Sequence, residues 1–322
     1  VIRALPLLLA LGGCAGVQTP LDPWGEQAGR IATLTWVLFI GGHVIFVLVM
    51  GLLAWSLLAP GSLRHVLGSR GFVIGGGIVF PTVTLAVLLA WSLGVSRALT
   101  LPGSDAPLRI EVIARQYWWE VRYPDLGEVV TANELHLPRG REVELHLSSA
   151  DVIHSLWVPN LHGKMDMIPG RVNRLRLTAA RTGTLRGQCT EFCGLQHALM
   201  AFWTVVHEPE EFEAWAARQR EPVAPPADPE LARGMAAFGT HGCGACHAVR
   251  GTEWQGRLAP DLSRVGSRLS LAAGALENHR GTLAGWIAGA QDIKPGNSMP
   301  SYGRSIEGPE LLALATWLES LR

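Results

Sequence analysis

The chain has 322 residues, 48% of them hydrophobic, and 27 basic groups balanced by 27 acidic ones. That length exceeds the roughly 100–200 residues of one domain. The neutral balance gives no pointer to nucleic acid or to an anionic membrane surface. Five cysteines, grouped as Cys14, Cys189 with Cys193, and Cys243 with Cys246, do not make the even framework of a disulfide-stapled fold.

The chain starts with one positive charge, Arg3, an apolar run from Ala4 to Leu11, and Gly12-Gly13 before Cys14. This is the layout of a secretory signal, and Leu11-Gly12-Gly13-Cys14 resembles a bacterial lipoprotein signal whose cysteine is acylated. The plainer reading is an apolar start with an incidental thiol.

Two apolar stretches follow, Ile31 to Leu58 and Phe72 to Val95, without Asp, Glu, Lys or Arg. Each exceeds the roughly 20 residues that cross a bilayer, so a transmembrane hairpin is expected. Trp36, Trp55 and Trp91 lie near segment ends, where aromatic belts form. Arg64 and Arg70 in the loop face Arg30 and Arg97 outside it, so charge gives little indication of orientation. His43 falls inside the first span, either as a functional group or packed against a partner helix, and Pro81 is expected to kink the second.

Beyond Pro102 the pattern changes to short alternating segments: Leu108 to Ala114, Trp118 to Tyr123, Glu134 to Leu137, Glu142 to Leu147, Arg174 to Thr178, Thr184 to Gln188 and Phe202 to His207. Gly/Pro turns between them predict an all-β sandwich or barrel. A helix over Pro209 to Arg220 and a proline-rich linker, Pro222 to Pro229, come next, and the linker is expected to be an extended, semi-rigid tether. Helical runs at Leu231 to Phe238, Leu283 to Ala290 and Pro309 to Leu321 predict a small all-α unit.

Two constellations carry chemistry. Cys189, Cys193, His197 and Met200 crowd one loop, with His154 upstream. Two thiolates, two imidazoles and a thioether suit electron-transfer copper. The four stronger ligands would also make a closed zinc site, and the cysteines alone could form a disulfide. The residues leave these three readings open. Downstream, Cys243-Gly244-Ala245-Cys246-His247 has the spacing of c-type haem attachment, with a redox dithiol or half a zinc site as alternatives. Pro260-Asp261-Leu262 and Met299-Pro300 favour haem, and the resemblance of this region to a class I cytochrome c implies Met299 as sixth ligand ahead of His279 and Met235. Trp286 and Trp317 could touch the haem or pack helices.

Asp151-Val152-Ile153-His154-Ser155, the run from Gly163 to Arg171 and the loop from Gly187 to Met200 resemble subunit II of cytochrome c oxidases, over roughly residues 25 to 215. Residues 230 to 322 resemble a small class I cytochrome c. The resemblance implies a multi-domain protein. It would have a lipoprotein-type signal (1–13), an N-terminal segment (14–30), a two-helix transmembrane hairpin (31–98), an all-β cupredoxin-like CuA domain (105–208), a helix and linker (209–229) and an all-α class I cytochrome c domain (230–322).

It further implies a binuclear CuA centre bridged by Cys189 and Cys193. His154 and His197 would each bind one ion, with Met200 and the backbone carbonyl of Glu191 as weak ligands. The Glu191 side chain would help hold magnesium against subunit I. Cys243 and Cys246 would carry a covalent haem c, with His247 and Met299 on the iron. Asp151, Lys164 and Asp166 match family positions and are expected to form structural salt bridges.

Implied partners are subunits I and III, with an external cytochrome c or a quinol-cytochrome c reductase as donor. The implied place is the bacterial cytoplasmic membrane, with multiple passes and both redox domains on the outer face. Oxygen would be reduced in another subunit. The rival readings are a CuA subunit of a nitric oxide reductase and a free-standing membrane-tethered carrier. Two departures stand out: Tyr117 replaces the usual tryptophan in the aromatic entry run Tyr117, Trp118 and Trp119, and Ile74 stands where many relatives carry a glutamate.

Overall fold

The computed structural model describes residues 16–58, 60–100 and 107–322; the signal-like run 1–13 and Cys14 lie outside the described residues. Helix α1 (Glu26–Leu58) and the run Arg70–Leu99 are both long and apolar enough to cross a membrane, and their apolar side chains are exposed along most of their length. A short helix, α2 (Gly61–Leu67), joins them. The second run is α3 (Arg70–Ile74), a π-helical turn (Gly75–Val79) and α4 (Phe80–Thr100). Proline 81 offers no N–H to the carbonyl four residues back, and three successive glycines let the backbone widen just there. His43 Nδ1 bonds Phe39 O of its own helix at 3.0 Å.

The β-domain has ten strands in two five-stranded sheets, ordered β3-β2-β1-β5-β8 and β4-β10-β9-β6-β7. In chain order they are β1 (Leu108–Arg115), β2 (Trp118–Tyr123), β3 (Val129–Ala132), β4 (Glu134–Pro138), β5 (Glu142–Ser149), β6 (His154–Trp157), β7 (Met165–Met167), β8 (Asn173–Thr178), β9 (Gly183–Cys189) and β10 (Ala201–His207). Alternation puts Leu108, Ile110, Val112 and Ala114 of β1 inward, where they meet Trp119, Tyr123, Leu145 and Phe202. Each such large side chain contributes about 1.5–3 kcal/mol on burial. Helix α5 (Pro209–Arg220) closes the open end with Phe212 and Trp215.

At that end His136 stacks on Trp215, with ring centroids 4.1 Å apart, and its Nδ1 lies 2.8 Å from His207 Nε2. Burial first, then the neighbouring His136 and Arg218, pull the His207 pKa down to about 4. A histidine depressed in the fold is neutral in both states above its unfolded value of about 6.5. Below that value only the unfolded chain takes up the proton. Stability of this domain is therefore expected to fall between pH 6.5 and about 4, by up to roughly 3 kcal/mol. His207→Gln should flatten the pH dependence of the thermal midpoint across that window, and an unchanged profile would refute the assignment.

The last unit packs α6 (Pro229–Thr240), α7 (Arg280–Ile293) and α8 (Gly308–Ser320) around Phe238, Ile287, Leu314 and Trp317. Asp228 caps α6 by accepting from the N–H groups of Glu230 and Leu231. The segment before it, expected to be an extended, semi-rigid tether, packs against the α-unit. Val223 is buried and donates its N–H to Arg250 O at 2.8 Å. Pro222 occupies the space where Gly251, at φ +85°, would otherwise carry a Cβ. The α-unit is docked on the β-domain. Ala201 N donates to Ala273 O (3.0 Å), Leu269 N to Glu134 Oε1 (2.6 Å), Trp203 Nε1 to Ser270 Oγ (3.1 Å) and Gln196 Nε2 to Pro295 O (2.7 Å).

Candidate functional site

Strand β6 lies between β7 and β9, pairing His154 with Met167 and Leu156 with Cys189. This register carries His154 to the thiols across 35 residues of sequence, with its Nδ1 3.8 Å from Cys189 Sγ. The loop after β9 turns back through a short 3-10 helix, His197–Leu199, and brings the other donors to the same point. Cys189 Sγ is 3.8 Å from Cys193 Sγ and 3.3 Å from Glu191 O. Cys193 Sγ is 3.7 Å from His197 Nδ1 and 3.8 Å from Met200 Sδ.

All six predicted donors thus converge on one spot. The thiols are free, and 3.8 Å is far beyond the roughly 2 Å of a disulfide. Each thiol faces its own imidazole and has one weaker donor beside it, a thioether or a carbonyl. The donor chemistry fits copper, and the thioether gains a role that a closed zinc site would leave empty.

The Cys193 thiol hydrogen-bonds the Cys189 sulfur and holds its pKa well below the usual thiol range, against the opposing effect of burial. A thiolate at Cys189, together with burial, in turn pushes Cys193 up. Burial disfavours charge on His154, but Cys189 and Asp151 on its two ring nitrogens outweigh it and raise its pKa. Asp151, expected in a structural salt bridge, pairs with His154, its Oδ1 2.8 Å from His154 Nε2, and its Oδ2 accepts from Gln116 N at 2.6 Å. It orients the imidazole so that Nδ1 faces the thiols. Lys164 sits between Asp166 (3.3 Å) and Glu191 Oε2 (3.6 Å).

The aromatic run lies directly behind the loop. Tyr117 Oη accepts from Leu195 N at 3.0 Å and fills the space where a Cβ on Gly194, at φ +119°, would have to sit. Tyr117 is 8% exposed and Trp119 is fully buried with its ring edge toward His154, leaving Trp118 as the half-buried member.

A second cavity, of about 300 Å³, opens in the α-unit. Its walls include Cys243, Cys246, His247 and Met299, and across the seam Gln116, Tyr117 and Trp118 of the β-domain. His247 Nδ1 donates to Pro260 O at 2.7 Å, which leaves Nε2 as a free lone pair. Met299 is held by its backbone, its N–H on Asn297 Oδ1 and its carbonyl on Gln291 Nε2, both at 2.7 Å. Arg268 Nε is buried without a partner at the cavity wall. An apolar slot with two thiols, an imidazole lone pair and a thioether fits haem.

His279 caps α7 by accepting from Gly281 N and Thr282 N, which gives the competing ligand another task. Met235 packs in the core and is absent from the cavity wall, Trp317 serves helix packing, and Trp286 lines the cavity. Lys294, a residue the sequence did not flag, is 2% exposed and donates from Nζ to the carbonyls of Tyr117 (2.9 Å), Leu199 (2.8 Å) and Ala272 (3.0 Å). Burial lowers its pKa to about 8, so it remains largely an ammonium at neutral pH.

The family model for the periplasmic domain of cytochrome c oxidase subunit II matches residues 128–207, and the cytochrome c model matches residues 231–322. Cytochrome c oxidase subunit 2 of Alkalihalophilus pseudofirmus is 32% identical over 99% of this chain and 97% of that protein. The corresponding protein of Bacillus subtilis is 29% identical, over 100% of this chain and 96% of its own length. The solved periplasmic domain of subunit II of cytochrome oxidase from Bradyrhizobium japonicum is 33% identical, over 37% of this chain and 95% of that one, with a TM-score of 0.35. The two matched domains imply copper and haem binding.

Proposed function

The chain belongs to the cytochrome c oxidase subunit II family, with a cytochrome c domain fused at residues 231–322, and we propose that it is an internal electron relay from an outside donor to the oxygen-reducing subunit. Cys189, Cys193, His154, His197, Met200 and the Glu191 carbonyl would hold a binuclear CuA centre. Cys243 and Cys246 would hold a covalent haem c, and His247 and Met299 would supply its iron ligands. When bound, each centre supplies storage of one electron at a time within a single chain.

The chain's own residues prepare both places. Asp151 fixes the His154 ring, the Pro260 carbonyl fixes His247, and buried Trp119 keeps water from the copper loop. The observation that carries the relay is Gln116: its side chain donates to Cys193 O at 2.7 Å, and the same residue lines the haem cavity. One peptide segment therefore spans both ligand sets.

The two apolar helices form a hairpin in the bacterial cytoplasmic membrane with both redox domains on its outer face. Exposed Val152, Ile153 and Phe192, the last 76% exposed beside His197, form an apolar face for subunit I. Subunit III completes the complex, and a soluble cytochrome c or a quinol-cytochrome c reductase supplies electrons. The oxygen chemistry resides in subunit I, with Glu191 contributing to a magnesium site at that boundary. The relatives are oxidase subunits, which does not favour the nitric oxide and free-carrier readings.

In the purified complex, flash photoreduction of the haem should be followed by copper reduction at a rate independent of protein concentration and nearly independent of salt. Charge-steered encounters between separate molecules weaken as salt rises. A rate that scales with concentration would refute the relay.

A further inference from the structure

Lys294 lines the haem cavity and donates across the seam to Leu199, the residue before Met200. All three of its ammonium protons are used, on Tyr117 O, Leu199 O and Ala272 O, and none goes to a carboxylate. Each acceptor belongs to a different part of the molecule. Tyr117 is in the aromatic run behind the copper loop, Leu199 immediately precedes the Met200 donor, and Ala272 is in the α-unit. Burying a lysine ammonium is costly unless every donor is satisfied. Here the satisfaction exists only while the two domains are docked.

The backbone on the α-unit side is shaped for this contact. Ala272, Ala273 and Gly274 are all left-handed, with φ of +50°, +59° and +80°. Alanine rarely adopts that conformation, so two in succession are retained where surrounding contacts enforce them. The result is that the Ala272 carbonyl meets Lys294 while the next carbonyl, of Ala273, accepts from Ala201 N, one residue past Met200.

We propose that Lys294 is the positioning residue for the internal electron step: it clamps the haem-bearing domain onto the copper loop and places a fixed positive charge between the two centres. This rests on the relay reading above. The step moves one electron from the reduced haem to the oxidised copper centre, and the external donor replaces that electron. A fixed cation beside the cysteines favours the copper centre in its reduced, less positive state.

The test uses the intact purified complex with Lys294→Met, which keeps the stem and removes all three donors, and Lys294→Gln, which keeps a neutral donor. In Lys294→Met, hydrogen exchange at the Ala201 and Leu269 amides should rise at least roughly tenfold, as expected when charge-assisted bonds are lost. The haem-to-copper rate after a flash should fall, while KM for the soluble donor stays unchanged. In both variants the copper midpoint potential should shift downward, and in Lys294→Gln the exchange should rise less. Trp203→Phe, which removes the bond to Ser270 and keeps an aromatic face for Arg186, should leave all of these readouts near wild type.

If the wild-type complex shows no internal step, the relay reading fails and the clamp with it. If the wild type shows the step and both Lys294 variants match it in rate, exchange and potential, the clamp alone is overturned. A Trp203→Phe protein as loosened as Lys294→Met would equally remove Lys294 from this role.

Discussion

Cys193→Ser is expected to abolish the near-infrared copper band and to leave the haem covalently attached. Cys193 Sγ touches three of the other donors, Cys189 Sγ, His197 Nδ1 and Met200 Sδ, so a smaller, harder oxygen there breaks the set at its centre. Oxidase turnover should fall by more than about 100-fold, beyond the cost of losing a single outer partner of a metal ligand. The haem cavity draws on Cys243, Cys246, His247 and Met299 and does not include Cys193. Metal analysis and the reduced-minus-oxidised haem spectrum of the same sample decide the matter: loss of both centres together would show that the two sites do not assemble independently.

Met299→Leu should keep haem attached through the two cysteines and lower its midpoint potential, because methionine opposite histidine raises it. A drop of roughly 120 mV is a hundredfold change in a one-electron equilibrium. Turnover with the native donor should decline with it. Local structure makes the experiment clean, since Met299 is held by backbone bonds to Asn297 and Gln291 that leucine retains. Turnover with soluble cytochrome that is indifferent to Met299→Leu would mean that electrons reach the copper loop directly. Tyr117 and Trp119 are too buried to make that an easy route, and Trp118 is half covered at the seam.

The sequence by itself determined whatever is encoded at short range. The apolar hairpin follows from uninterrupted runs of side chains, and the copper loop from Cys189, Cys193, His197 and Met200 lying within one turnback. Cys243 to His247 needs only five consecutive residues. Strands β3, β6 and β7 escaped the reading because they are short, and β3 and β6 do not alternate cleanly, Val129-Val130 and Leu156-Trp157 setting apolar residues side by side.

Tertiary structure decided what depends on distant partners. Strand pairing, not spacing, brings His154 to Cys189. Asp151 reads as one half of a salt bridge, and its partner, His154, is identified only once β6 is in place. His279 and Met299 are both candidates in the sequence, and the structure places the histidine at the cap of α7 and the methionine on the cavity wall. The proline-rich linker reads as an extended, semi-rigid tether, and Val223 and Pro222 pack down because the α-unit offers them a carbonyl and a bare glycine. Lys294 gave no signal at all. A lysine is ordinarily a solvated charge, and what buries this one is a set of carbonyls up to 177 residues away that converge only when two separately folded domains meet.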